Sequence, residues 1–357
     1  MIQKHNFSAG PSILPGSVFK EAALAAVDYK GTGLSLMEVS HRGPEFDEVL
    51  QEAKVLVREL LHLDDQYKIL FLSGGASSQF FMTAMNLLDD GEIAYFVDTG
   101  VWSTKALKEA ALFGKIIVLA SSKDTKYDHI PTEFNVPADG QYLHLTSNNT
   151  IYGTQYHWWP ESPIPVVADM SSDIFSRRID VNKFALIYAG AQKNMGPAGT
   201  TLVVIREDLL GHVKRQIPSM LDYRNHIKED SCFNTPPVFP IYVSMLNLRW
   251  LKKQGGVGAL EERNRSKATR LYAEIDVNPL FQGNVQTRDR SWMNVTFVPT
   301  NPEHEKPFLD ACKSADIVGI KGHRSAGGFR ASMYNALSLE SVEVLISVMQ
   351  DFAKKHA

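Results

Sequence analysis

The sequence predicts an α/β protein: a large domain built on a sheet flanked by helices, joined to a smaller α+β domain at the C-terminal end. Three observations carry this expectation. Apolar runs of strand length alternate with helical patterns through most of the 357 residues. The densest two, 184–189 and 200–205, are rich in β-branched and aromatic residues and read as buried strands. The turn between them is punctuated by Gly190, Gly196, Pro197 and Gly199. From about Asn278 the pattern changes to separated strands and helices. The length suits one large domain and one small one. The expected division is 15–257 for the large domain, and 1–14 with 258–357 for the small one.

Taken in order, 6–15 is a loop rich in Ser, Gly and Pro, and 15–28 is helical, with Val18, Ala22, Leu24 and Ala25 on one side. His41 and Arg42 fall on a turn before Gly43-Pro44, and a helix follows from 45 to 61. A strand at 67–72 leads into the small-residue turn 73–78 and then a helix at 79–88. Next come a strand at 93–98, a helix at 103–113 and strands at 115–119 and 142–145. Thr150 stands in the polar loop after the last of these. The strand 166–168 ends at Asp169. Segment 206–213 reads as helix and 218–240 as a long irregular stretch, of the kind that is usually functional or contacts a partner. A helix at 241–253 is stopped by Gly255-Gly256. A charged helix at 257–275 carries Glu261, Glu262, Arg263, Arg265, Lys267 and Arg270, read as a solvated face. A strand at 293–298, a helix at 305–315, a short strand at 319–320, a basic glycine-bearing hairpin and a final amphipathic helix complete the chain.

Composition excludes several functions. Apolar content of 44% with mixed charge is ordinary for a globular protein. A net charge of −3 and a pI near 6.4 offer no general basic surface for nucleic acid. Two cysteines, Cys232 and Cys312, make no disulfide framework and fit a reducing compartment. No stretch has the length of a membrane span, and MIQKHNFSAGPSILP has no apolar h-region. The expectation is a cytoplasmic protein.

The chemistry-bearing residues cluster at expected strand ends. Lys193 is flanked by small residues between two core strands. It is either a solvated charge or an amine placed to attack a carbonyl and form a Schiff base, as pyridoxal phosphate enzymes require. Asp169 lies 24 residues earlier, with one strand between, so both project from the same edge of the sheet. It is either an N-cap or the carboxylate beside a pyridine nitrogen. The strand–turn–helix at 67–88 either cradles a phosphate on free N–H groups or is an empty tight turn. Trp102 fills core or lies against a flat ligand. Lys321, His323, Arg324 and Arg330, interleaved with glycines, form a clamp for an anionic substrate or a solvated turn.

Beyond these readings the chain resembles the phosphoserine aminotransferases, fold-type I pyridoxal phosphate enzymes of class V, nearly end to end. The marks are NFSAGP at Asn6, MEVSHRG at Met37, GGASSQF at Gly74, VDTGVWS at Val97, ADMSSD at Ala168, IYAGAQKNMGPAG at Ile187, FNTPP at Phe233 and KGHRSAGGFRASMYNA at Lys321. The resemblance implies a mixed, mostly parallel sheet in the large domain and pyridoxal 5'-phosphate as cofactor. It implies that Lys193 forms the Schiff base, Asp169 pairs with the pyridinium, Trp102 stacks on the ring and Thr150 lies near its hydroxyl oxygen. Ala76, Ser77 and Gln192 hold the cofactor phosphate, and Asn234 and Thr235 reach it from the other subunit of a homodimer. Arg330 binds the substrate α-carboxylate, and His41, Arg42, His323 and Arg324 surround the substrate phosphate. One departure stands out: many members carry an arginine in the glycine-rich turn, where this chain reads Ala76-Ser77-Ser78, so the phosphate pocket is one cation poorer.

The implied reaction is reversible transamination of O-phospho-L-serine with 2-oxoglutarate, giving 3-phosphohydroxypyruvate and L-glutamate, in serine biosynthesis. A place in pyridoxine biosynthesis, on 4-phosphohydroxy-L-threonine, stands beside it. The rivals are another small amino-acid aminotransferase of the same fold, acting on serine or alanine with glyoxylate or pyruvate, and a catalytically silent cofactor-binding regulator.

Overall fold

The structure, a computed structural model, describes residues 4–356. The elements run β1 (His5–Asn6), α1 (Gly16–Val27), α2 (Pro44–Leu61), β2 (Tyr67–Leu72), α3 (Gly75–Leu87), β3 (Ile93–Asp98), α4 (Val101–Ala110), β4 (Lys115–Ser121), β5 (Tyr142–Thr146), β6 (Val166–Asp169), β7 (Leu186–Gly190) and β8 (Thr201–Arg206). They continue with α5 (Tyr223–Lys228), α6 (Val238–Lys253), α7 (Gly256–Val277), β9 (Phe281–Gly283), β10 (Asn294–Pro299), α8 (Glu305–Ser314), β11 (Ile317–Val318), β12 (Phe329–Ser332) and α9 (Leu339–His356).

Seven strands form the central sheet in the order β2-β8-β7-β6-β5-β3-β4. β8 is antiparallel to both of its neighbours, and every other pairing is parallel. The sheet is covered on both faces, which is why its inner strands read as unbroken apolar runs. In β7, Ile187 and Ala189 join a core with α1, α2 and α6. Leu186 and Tyr188 point the other way, into a core with α3 and α4. Each large apolar side chain buried this way contributes about 1.5–3 kcal/mol.

A separate apolar cluster gathers Phe7, the C-terminal half of α7 and residues of β9–β12, α8 and α9. Its sheet is antiparallel, in the order β12-β10-β9. β1 pairs in parallel with β11, tying the N-terminal segment to this cluster.

Several expectations change in detail. α3 begins at Gly75 rather than 79, so the small-residue turn is itself the first turn of the helix. Segment 206–213 holds only one turn of 3₁₀ helix, Glu207–Leu209, and Gly211 takes a positive φ of 92° just beyond it. The stretch 218–240 is not wholly irregular, since α5 lies within it, capped by the Asp222 side chain. The short strand expected at 319–320 forms two residues earlier, at β11. Leu24 is exposed, whereas Val18, Ala22 and Ala25 are buried. Lys267 is the largest departure: it is not on a solvated face but 2% exposed. Its ammonium donates to the carbonyls of Met333, Tyr334 and Leu337 at 3.0, 3.0 and 3.1 Å.

Candidate active site

The parallel neighbours β6 and β7 end side by side, at Asp169 and Gly190. Carboxyl edges of parallel strands are where open α/β sheets bind ligands. Here they open onto a cavity of about 300 Å³. Its wall takes Gly75, Ala76 and Ser77 from the start of α3 and Trp102 from the first turn of α4. The end of β5 adds Thr146, and the loop after it Asn148, Thr150 and Ile151. Asp169, Ser171 and Ser172 come from the end of β6, Gln192 and Lys193 from the turn after β7, and His323 and Arg330 from the C-terminal hairpin. Ala9 and Gly10 close it from the N-terminal loop.

Lys193 Nζ donates to Thr150 Oγ1 at 2.7 Å and lies 6.0 Å from the centroid of the Trp102 ring. The side chain keeps some solvent contact, but the amine is crowded enough for burial to push its pKa down to about 8. The Asp169 charge opposes that shift, and the Arg330 charge assists it. Asp169 is itself buried, which holds its carboxyl above the usual carboxylate range. The Ser171 N–H, donating at 2.9 Å, and the Lys193 charge pull it back.

On the opposite wall, Arg330 Nη1 donates to the Thr150 carbonyl at 3.2 Å. Desolvation lowers its pKa from the ordinary guanidinium value, and its buried Nε has no partner among the described residues. A buried guanidinium N–H without an acceptor is costly unless a ligand supplies one. His323 Nδ1 pairs with Ser325 Oγ at 2.7 Å. Its pKa is lowered first by burial and then by the Arg330, Arg324 and Lys105 charges.

These residues fit pyridoxal phosphate. α3 has no side-chain cap, so the N–H groups of its first turn, which line the cavity, are available to a phosphate, and the helix dipole favours an anion there. Trp102 Nε1 is buried without a partner among the described residues. Asp169 would offer a carboxylate to a ring nitrogen, and Lys193 would offer the aldehyde an amine lowered toward neutrality.

Of the residues expected at a site, the cavity collects Ala76, Ser77, Trp102, Thr150, Asp169, Gln192, Lys193, His323 and Arg330. Arg324 is exposed beside His323. His41, Arg42, Asn234 and Thr235 do not line it. Arg42 instead lies close enough to Cys232 for its charge to act on that thiol, two residues before Asn234. The N-terminal loop was missed. Ser12 Oγ donates to the Lys193 carbonyl at 2.5 Å and its N–H to the Gln192 carbonyl at 3.0 Å. Gly10 adopts a φ of +135°, and a Cβ there would stand 3.3 Å from Lys193 Cγ. The NFSAGP motif was the available signal, but nothing local says that it folds over Lys193.

Residues 4–345 match the aminotransferase class-V family. A phosphoserine aminotransferase of Flavobacterium psychrophilum is 55% identical over 355 residues, covering 99% of this chain and all of that protein. Among solved structures, phosphoserine aminotransferase from Bacillus circulans subsp. alkalophilus superposes with a TM-score of 0.97 at 44% identity, covering 100% of both chains. A PLP-bound phosphoserine aminotransferase from Trichomonas vaginalis superposes with a TM-score of 0.93 at 34% identity, covering 98% of this chain and 100% of that one.

Proposed function

The chain belongs to the class-V aminotransferase family, and from that premise we propose that it catalyses the reversible transamination of O-phospho-L-serine with 2-oxoglutarate to 3-phosphohydroxypyruvate and L-glutamate. One observation carries the reading. A lysine amine with a pKa near 8 and a buried carboxylate face one cavity whose other wall holds Arg330 and His323. Bound pyridoxal phosphate supplies an aldehyde for amine exchange and an electron-withdrawing ring.

The chain's own groups do the rest. The first-turn N–H groups of α3 hold a phosphate, Trp102 covers one face of a flat ring, and Asp169 keeps a proton on a nitrogen facing it. Lys193 Nζ, once free, takes the proton from the substrate Cα and holds it for return, a task suited to a base whose pKa is near the working pH. Arg330, with its Nε unpartnered, binds the α-carboxylate that phosphoserine and glutamate share. His323, its pKa lowered in the free protein, takes up a proton when the substrate phosphate arrives, and Arg324 adds charge from the rim.

The same reading includes a homodimer with shared sites. Asn234 and Thr235 then serve the cofactor phosphate of the partner subunit. His41 and Arg42 belong to the same surface, since Arg42 lies beside Cys232, and they reach the partner's substrate phosphate. A cytoplasmic role in serine synthesis agrees with two free thiols, Cys232 and Cys312. No helix among the described residues is long and apolar enough to cross a membrane.

The test is a substrate panel on the purified protein: phosphoserine, serine and alanine, each with 2-oxoglutarate, glyoxylate and pyruvate. Phosphoserine with 2-oxoglutarate is expected to dominate kcat/KM. Preference for serine or alanine with glyoxylate or pyruvate would replace this reading with the broader one.

A further inference from the structure

We propose that Lys105 is a specificity residue of this site: a cation on α4, against the cavity-lining Trp102 though not itself lining the cavity, that recognises the acidic end of the substrate side chain together with His323 and Arg324. The inference rests on the aminotransferase reading above.

The geometry begins on α4. Lys105 follows Trp102 by three residues, so the two share one face of the helix. Its Nζ lies 4.7 Å from the centroid of the Trp102 ring. Lys193 Nζ lies 6.0 Å from the same centroid. The two nitrogens are therefore at most about 11 Å apart, those two distances together. An amino acid ending in a phosphate spans roughly 6 Å from its nitrogen to a terminal oxygen, from ordinary bond lengths. A charge-assisted hydrogen bond adds ~2.8 Å. Together these span about 9 Å, so at the outer bound the flexible, exposed Lys105 side chain closes the remaining ~2 Å to meet the acidic end of a substrate whose nitrogen sits at Lys193.

The surroundings agree. Lys105 is exposed and pairs with no carboxylate among the described residues. Its charge nonetheless reaches His323, whose pKa is lowered first by burial, then by the Arg330 and Arg324 charges, and last by Lys105. Cations that raise one another's cost are relieved by a shared anion. Trp102 holds the ammonium by cation–π contact until that anion arrives. A phosphate carries nearly two charges and a carboxylate one, so the gain from Lys105 is larger for phosphoserine than for glutamate.

The experiment compares the loaded parent enzyme with Lys105→Ala and Lys105→Arg, following each half-reaction by the cofactor spectrum. Lys105→Ala is expected to lower kcat/KM for phosphoserine about 10-fold, the range for losing a hydrogen bond to a charged group, and for glutamate only about 2-fold. Lys105→Arg, which keeps the charge and can keep the contact with the Trp102 ring, is expected to lose less on phosphoserine than Lys105→Ala does. Equal losses on the two substrates, no loss on either, or an Arg variant as poor as Ala would overturn the proposal while leaving phosphoserine turnover by the parent intact. A parent that transaminates other amino acids but never phosphoserine would overturn the functional reading itself, and Lys105 with it.

Discussion

Replacing Asp169 by Asn tests how the reactive amine is tuned. Burial brings the Lys193 pKa from its ordinary 10.5 to about 8, against the pull of the Asp169 charge. At pH 7 an amine with a pKa of 8 is roughly one-tenth neutral, whereas one at 10.5 is neutral in about one molecule in three thousand. Burial therefore supplies ~300-fold more nucleophile. The Asp169 charge is the largest influence favouring the ammonium, so its removal lowers the Lys193 pKa further, by about one unit for one opposite charge lost. The assay is imine formation between the apoprotein and pyridoxal, which lacks the phosphate and so isolates the amine, followed by absorbance from neutral to alkaline pH. The parent rate is expected to inflect near pH 8 and the Asn variant near pH 7, that one unit lower. A parent inflection near the ordinary lysine value, or an upward shift in the variant, would refute the reasoning.

The same shift bears on stability. The folded pKa lies below the unfolded one, so the unfolded chain holds the extra proton between about pH 8 and 10.5. The contribution of Lys193 is fully present above the upper value and lost as pH falls through the lower one. At pH 7 the loss is about 3 kcal/mol.

Further outcomes test other parts of the site. Lys193→Met is expected to abolish turnover and the borohydride-reducible band, yet to stabilise the apoprotein at neutral pH by up to about 3 kcal/mol in urea denaturation; a lower midpoint would count against the burial argument. Arg330→Ala is expected to raise KM for phosphoserine, glutamate and 2-oxoglutarate alike by at least ~10-fold, because all share the carboxylate it is proposed to bind; an effect confined to phosphoserine would move Arg330 to the phosphate. Mixing inactive Lys193→Ala subunits with inactive Asn234→Ala/Thr235→Ala subunits is expected to restore activity through hybrid dimers, and none would argue against shared sites. Lys267→Met leaves the carbonyls of Met333, Tyr334 and Leu337 facing no donor, at about 1–3 kcal/mol each, a loss offset only in part at pH 7 by relief of the burial that lowers this amine's pKa to about 7; a change under about 0.5 kcal/mol in urea denaturation would put this lysine in the class of neutral surface positions.

What could be read in the sequence follows from which interactions are local. β5, β6, β7 and the bulk of β8 are buried on both faces, so their apolar runs stand out, and the groups at their ends, Asp169 and Lys193, were legible with them. The start of α3 was not. Gly75, Ser77 and Ser78 have turn chemistry, yet the helix runs through them from Gly75, leaving its uncapped N–H groups at the cavity. Gly10 and Ser12 were illegible as site residues because their partners, Gln192 and Lys193, lie some 180 positions away.

Lys267 shows the limit most sharply. Helical periodicity sets it beside Asn264 and Leu271, both buried, while its charge argues for solvent. The conflict is resolved by three carbonyls at 333–337, which match the three N–H donors of an ammonium one for one. That segment follows directly on β12, and Asn335 N–H donates to Asn194 Oδ1 at 3.0 Å, next to Lys193. Asn264 in turn donates to Asn335 Oδ1 at 2.8 Å. One face of α7 thus braces both the strand that carries Arg330 and the turn that carries Lys193. The buried amine, its pKa brought down to about 7 by burial, braces the segment after β12 against α7, and no pattern within α7 itself could announce that.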